Sequence, residues 1–207
     1  MWSFMRIFRY KEMRENKEMN KIIKYEVFNG HENEIRTIDL SKELSVKDFL
    51  KFGWTKYTIN GLTDKNKVGL SMDVVEGITT KDKNEHCQGV YLLTINGKVV
   101  KIGGTETGLS KRWASYHNGT EKIRKDAGNG SVTNYYIIQA LKAALKQGYT
   151  VEWYFKKMDY IVEEIKLYSG EVVKNRIYLN GQYKDHEKDL LNYYETITGS
   201  YPVLSSN

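Results

Sequence analysis

Apolar and polar positions along the chain change period several times, and each change marks an element. Residues 90–95 and 99–102 are β-rich runs separated by Asn96-Gly97-Lys98, a strong hairpin signal. Residues 109–118 then take helical spacing. Leu109 and Trp113 share an apolar face, Arg112 and Tyr116 share another, and Gly119 is a stop. Ser131 caps a second helix over 132–147, with Ile137, Leu141, Ala144 and Leu145 on one side and Gly148 as terminator. Residues 151–155 read as a strand that completes a three-stranded sheet. Residues 161–184 read as an inserted hairpin around Ser169-Gly170 that either enters a DNA groove or extends a sheet. A last helix over 185–196 carries Leu190, Leu191 and Tyr194 on its apolar side.

Loop length in the first hairpin decides which residues share a face. A two-residue turn at Asn96-Gly97 pairs Ile95 with Lys98 and sends Tyr91 and Lys101 to opposite faces. A three-residue loop with a bulge pairs Ile95 with Val99 and brings both to one face. A shared role for Tyr91 and Lys101 requires the second arrangement. An ordinary hairpin with a core tyrosine and a solvated lysine requires only the first.

The N-terminal part is less informative. Residues 11–24 read as a charged helix, either a solvated face or a basic arm tracking DNA. Residues 34–40 read as a strand, and residues from Ser45 or Val46 to Phe52 as a short helix with Ser45 as N-cap. Residues 53–83 are polar with scattered glycines, the pattern of irregular structure over a small core. Nothing in residues 1–84 carries recognisable chemistry, so the expected division is an extension over 1–84 followed by a functional domain over 85–207.

Composition narrows the function classes. The 207 residues are 40% hydrophobic and 28% charged, values of a soluble globular protein. A net charge of +6 with sixteen tyrosines and four tryptophans favours a polyanionic partner, through phosphate contacts and stacking. The single cysteine, Cys87, excludes an intramolecular disulfide and a multi-cysteine zinc site. The four histidines show no paired metal-ligand spacing. No apolar run approaches the roughly 20 residues of a membrane span, and the first ten residues are too short and interrupted for a signal peptide. Cytoplasm is the expected location. The segment Gly103 to Gly108 is glycine-rich but follows a hairpin strand and lacks the Gly-Lys-Ser/Thr ending of a phosphate-binding loop.

The tripeptide Gly89-Val90-Tyr91, the tripeptide Lys101-Ile102-Gly103 that follows the tyrosine by ten residues, and Arg112 on the next helix resemble the GIY-YIG endonucleases. The resemblance covers residues 89 to about 205. Lysine stands where the second motif tyrosine is usual, and Tyr116 lies one turn after the arginine. Both features are similar to a restriction-enzyme branch of the family. The resemblance implies an α/β (α+β) fold: a small three-stranded antiparallel sheet flanked by helices. It also implies metal-dependent cleavage of double-stranded DNA by a type II restriction enzyme in a restriction-modification pair, acting as a homo-oligomer. A homing, repair or phage nuclease, or a non-catalytic nucleic-acid-binding module, are the alternatives. Tyr91 would be the general base, Arg112 and Tyr116 would hold the scissile phosphate, and Glu187 would hold one Mg²⁺ or Mn²⁺ per active site. Glu195 is the competing ligand. Lys111, His117, Lys122, Arg124 and Lys125 are the candidate DNA contacts, against a solvated turn for the last three. Lysine beside a tyrosine base makes electrostatic sense. Half-ionising a tyrosine at pH 7 needs roughly 4 kcal/mol, which a cation at about 4 Å supplies at an effective dielectric of about 20.

Overall fold

The computed structural model describes residues 21–63, 70–117, 131–179 and 181–205. Most of the expected residues 11–24 helix lies outside them, as do Lys122, Arg124 and Lys125. Where that segment is described it is extended: Ile22–Phe28 (β1) alternates buried Ile23, Tyr25 and Val27 with exposed neighbours. That is the period of a strand with one covered face. β1 pairs antiparallel with Asn33–Asp39 (β2).

A four-residue helix, Lys47–Leu50 (α1), follows, with Val46 rather than Ser45 at the N-cap position. Ser45 still contributes, because its hydroxyl accepts the Lys47 N–H at 3.3 Å.

The central sheet has five strands, not three. Its order is Leu70–Val74 (β4), Thr55–Leu62 (β3), Val151–Lys157 (β7), Gly89–Ile95 (β5) and Lys98–Thr105 (β6), all antiparallel. β3 and β4 come from the stretch expected to be irregular. The apolar pattern missed β3 because its two buried positions are polar: Thr58 and Asn60. Asn60 explains itself. Its side-chain oxygen accepts the indole N–H of fully buried Trp153 at 2.6 Å, and its amide donates to the Ser71 carbonyl at 2.6 Å. One asparagine therefore ties together the three strands β4, β3 and β7.

β5 is buried along its whole length and separates two cores. Tyr91, Leu93 and Ile95 face the larger one, with Leu109–His117 (α3), Val132–Lys146 (α4) and the β1–β2 hairpin. Val90 and Leu92 face the smaller one, with Phe49, Trp54 and Tyr194 of the closing helix Tyr183–Thr198 (α5). Thr80–Asn84 (α2) precedes β5 and begins with a capping box between Thr79 and Asp82. The inserted hairpin forms a separate two-stranded sheet, Tyr160–Lys166 (β8) with Val172–Tyr178 (β9). Among the described residues no helix is long and apolar enough to cross a membrane.

The β5–β6 register departs from both sequence alternatives. The turn has two residues, with Ile95 opposite Lys98 and positive φ at Asn96 and Gly97, as a type I′ hairpin needs. The three-residue loop that a shared role for Tyr91 and Lys101 called for is absent. The register shift comes further along: Thr94 faces Val99, whereas Leu93 faces Lys101, leaving Val100 as the extra residue of a bulge. Beyond it Tyr91 pairs with Gly103. Lys101 thus shares a face with Leu93 and Tyr91.

Replacing Asn60 tests whether β3 belongs to this sheet. Asn60→Ala leaves the Trp153 N–H buried without an acceptor and is expected to cost about 2 kcal/mol in urea unfolding. A loss below about 0.5 kcal/mol would contradict the role given to that side chain.

Candidate active site

Three elements deliver polar groups to the face of β5 and β6 covered by α3. β5 supplies Tyr91 and the bulged β6 supplies Lys101. One turn apart on α3, Arg112 and Tyr116 project from the same side. The Tyr91 and Tyr116 hydroxyls are hydrogen-bonded at 2.5 Å. Arg112 donates to both, Nε to Tyr91 at 3.1 Å and a terminal nitrogen to Tyr116 at 3.4 Å. Its guanidinium also lies 4.8 Å from the centre of the Tyr116 ring. Both tyrosines are fully buried, and Trp153 packs against their rings at 5.1 and 5.8 Å. Arg112 is only half-buried. A partly exposed fork with two arms fixed on phenol oxygens is prepared to meet an anion.

Glu187 reaches the same place from α5, on the other side of the sheet. β6 is the outer strand of the sheet, and Gly103-Gly104 in it leave the room that this approach requires. A Cβ on Gly104 would stand 2.7 Å from Glu187 Oε2 and 2.2 Å from the Tyr183 ring. A Cβ on Gly103 would stand 2.2 Å from the Tyr91 oxygen. The Gly104 N–H donates to the Glu187 carboxylate, which also feels Lys101 and Arg112. Burial nevertheless raises its pKa above the usual carboxylate value. Glu195 is exposed, further along the same helix.

The electrostatics correct one expectation. The cation against the Tyr91 oxygen is Arg112, not Lys101, whose ammonium donates to the Leu204 carbonyl at 3.2 Å. Burial dominates for both phenols. Tyr91 is raised despite Arg112 and the Tyr116 hydrogen bond, and Tyr116 is raised further by burial and by Tyr91. Lys101 is pushed down to about 8 by burial and then by Arg112, with Glu187 opposing. Arg112 is buried against its own charge, but the two phenols hold its proton firmly.

The structure therefore brings Tyr91, Lys101, Arg112, Tyr116 and Glu187 together. Lys111 is exposed on α3, away from this cluster's hydrogen bonds, and His117 ends that helix. Sequence reasoning took Gly104 only as part of a glycine-rich segment that is no phosphate-binding loop, and did not single out Tyr183 or the closing residues 203–205. Adjacent glycines inside a strand were the available signal, since they mark close approach to the backbone.

No protein-family model matches this chain, and no curated protein matches it. Its fold is shared with a solved nuclease. Restriction endonuclease HPY188I in complex with product DNA matches with a TM-score of 0.51 and 24% identity, over 82% of this chain and 90% of that one. A mutant of bacteriophage T4 EndoII matches with a TM-score of 0.46 and 20% identity, over 76% of this chain and 97% of that one.

Lys101 gives a prediction on stability. With a folded pKa of about 8 against an ordinary lysine value near 10.4, the unfolded chain holds the extra proton between those pH values. Stability from this group therefore rises with pH across that window and is lowest below it, by up to about 3 kcal/mol. Lys101→Met is expected to stabilise the fold at pH 7 by about 1–2 kcal/mol, after allowing for the unpaired Leu204 carbonyl. Urea unfolding of parent and variant at pH 7 and pH 9.5 checks this, the gap between them shrinking at the higher pH. A variant less stable than the parent at pH 7 would contradict it.

Proposed function

We propose that the protein is a metal-dependent endonuclease of the GIY-YIG type, cleaving double-stranded DNA at specific sequences as a type II restriction enzyme does. The observation that supports this reading is the half-buried Arg112 held on two buried phenol oxygens, with Lys101 and Glu187 beside it. The shared fold with a restriction endonuclease bound to product DNA supports it, as does the surplus of positive charge.

In this reading Arg112 meets the scissile phosphate with its free donors and stabilises the charge that builds there. Tyr91 first releases its phenolic proton to solvent; as the phenolate it orients the attacking water and takes up that water's proton as the new P–O bond forms and the bond to the leaving 3′-oxygen breaks. Arg112 and Tyr116 share the charge on the Tyr91 oxygen. Because burial raises the Tyr91 pKa, only a small fraction of the protein carries the phenolate near neutrality, and cleavage is expected to speed up as the pH rises. Tyr116 fixes the phenol and Arg112 in one orientation. Lys101 supplies a second cation beside the phosphate.

The residues fit a single divalent ion. Among the described residues no cluster of three or more His, Cys, Asp or Glu is present, and Glu187 is one half-buried carboxylate in a cationic setting. Mg²⁺ keeps several waters and is bound by one or two carboxylates plus substrate phosphates, so Glu187 together with the DNA phosphate would hold Mg²⁺ or Mn²⁺. Such an ion, when bound, neutralises charge on the leaving 3′-oxygen.

Incubation with phage DNA and Mg²⁺ is the test: discrete fragments are expected. A smear would mean a nuclease without sequence specificity, and binding without cutting a non-catalytic module.

Two variants follow from the assigned roles. Arg112→Ala is expected to lower the cleavage rate by about 10²–10³, the usual loss for one preorganised donor. Glu187→Gln is expected to bind DNA and fail to cut it, with little rescue by excess Mg²⁺, whereas Glu195→Gln keeps cutting. Cleavage lost only at Glu195 would move the ion to the exposed end of α5.

A further inference from the structure

The outer edge of β6 is not bare. Leu44 and Val46 pair with its first residues: Val99 N–H donates to the Leu44 carbonyl at 2.9 Å and Val46 N–H to the Gly97 carbonyl at 2.8 Å. The closing segment covers the bulge itself. Leu204 N–H donates to the Val100 carbonyl at 2.8 Å, and the Leu204 carbonyl accepts the Lys101 ammonium at 3.2 Å. The Ser205 hydroxyl accepts the Ile102 N–H at 3.1 Å and lies 3.2 Å from the Ile102 carbonyl. Leu204 is fully buried.

The two segments meet at one carboxylate. Glu43, only 9% exposed, accepts the Val203 N–H and the hydroxyl of buried Tyr194 from α5. That hydroxyl in turn accepts the Leu44 N–H at 3.0 Å, and Lys98 Nζ donates to the Glu43 carbonyl at 2.8 Å. A carboxylate is costly to bury unless several donors converge on it. Here the donors come from the closing segment and from the helix that carries Glu187.

We propose that Glu43 is a positioning residue of the active site: through Val203 and Leu204 it clamps the closing segment onto the bulge and so holds the Lys101 ammonium in place. The clamp gives Lys101 an acceptor that carries no net charge. The ammonium is therefore fixed without being neutralised and stays available to a phosphate. A carboxylate in direct contact with Lys101 would instead compete with DNA. The value of this inference for catalysis rests on the nuclease reading, but the positioning of Lys101 does not. It also gives residues before position 85 a part in the chemistry as well as in the sheet.

Two measurements test the clamp. ¹⁵Nζ NMR of lysine-labelled protein reads the Lys101 ammonium without any need for activity. Glu43→Ala is expected to speed proton exchange at that nitrogen about tenfold or more, while Glu43→Gln, which keeps one acceptor oxygen for Val203, restores most of the protection. Single-turnover DNA cleavage reads the consequence. Glu43→Ala should slow it about tenfold with DNA affinity within about twofold, and should add less than about twofold in a Lys101→Ala background, as expected of residues acting through one another. Should Glu43→Ala fail to fold, Ser205→Ala loosens the same segment and is expected to show the same pattern at smaller amplitude. Unchanged Lys101 exchange in the folded variant overturns the proposal, as does a rate loss that multiplies with that of Lys101→Ala. A parent protein that does not cut DNA overturns the nuclease reading instead, and the NMR result then judges the clamp alone.

Discussion

One extra residue in an edge strand determines what this fold can do. Side chains alternate faces along a strand, so without the bulge at Val100 the two-residue turn would place Lys101 against the smaller core and leave Tyr91 without it. The bulge restores a common face, lets Val100 pack inward, and leaves the outer edge of β6 irregular enough to need covering. The closing segment supplies that cover and touches Lys101 in doing so. Gly103 and Gly104, just beyond, allow Tyr91 to lie across the strand on one face and Glu187 to approach from the other. Register, edge protection and site assembly are thus consequences of a single local irregularity.

The site is held together by interactions that cost stability elsewhere. Two phenols and a guanidinium share a pocket walled by Trp153, where burial opposes every ionised form. Arg112 keeps its charge because a guanidinium is weakly hydrated and both its neighbours are hydrogen-bond acceptors. Lys101 is the group that burial depresses, and a hydrophobic residue would suit the same position better for folding alone. Such local disagreement between folding and placement is expected where residues are retained for chemistry.

The parts of the fold with simple periodicity were legible in the sequence: β5, the first half of β6, α3, α4 and α5 all follow from apolar spacing and the residues that end them. The alternation of Ile23, Tyr25 and Val27 was equally readable but was masked by the charged run before it. β3 was not legible, because Thr58 and Asn60 carry its buried face and their partners, Trp153 and Ser71, lie far along the chain. The dipeptide Asn96-Gly97 specified the turn, but Val99 and Val100 are chemically alike, so nothing in the pattern says which of them is extra. Tyr91, Lys101, Arg112 and Tyr116 are legible by motif and spacing, and Glu187 by the family resemblance. The contacts of Val203 and Leu204 were not legible because they are made through backbone atoms, whose partners side-chain identity does not encode.

A buried phenol held by Arg112 and Tyr116 can take part in breaking a phosphodiester bond or merely fill the core, and the role proposed for Tyr91 is the first. Single-turnover cleavage by Tyr91→Phe tests it most directly, because the ring and its contact with Trp153 remain while only the hydroxyl is removed. The account predicts a rate loss of about 10² or more, with melting temperature and DNA affinity close to those of the parent. Cleavage at the parental rate by a folded Tyr91→Phe protein would contradict it.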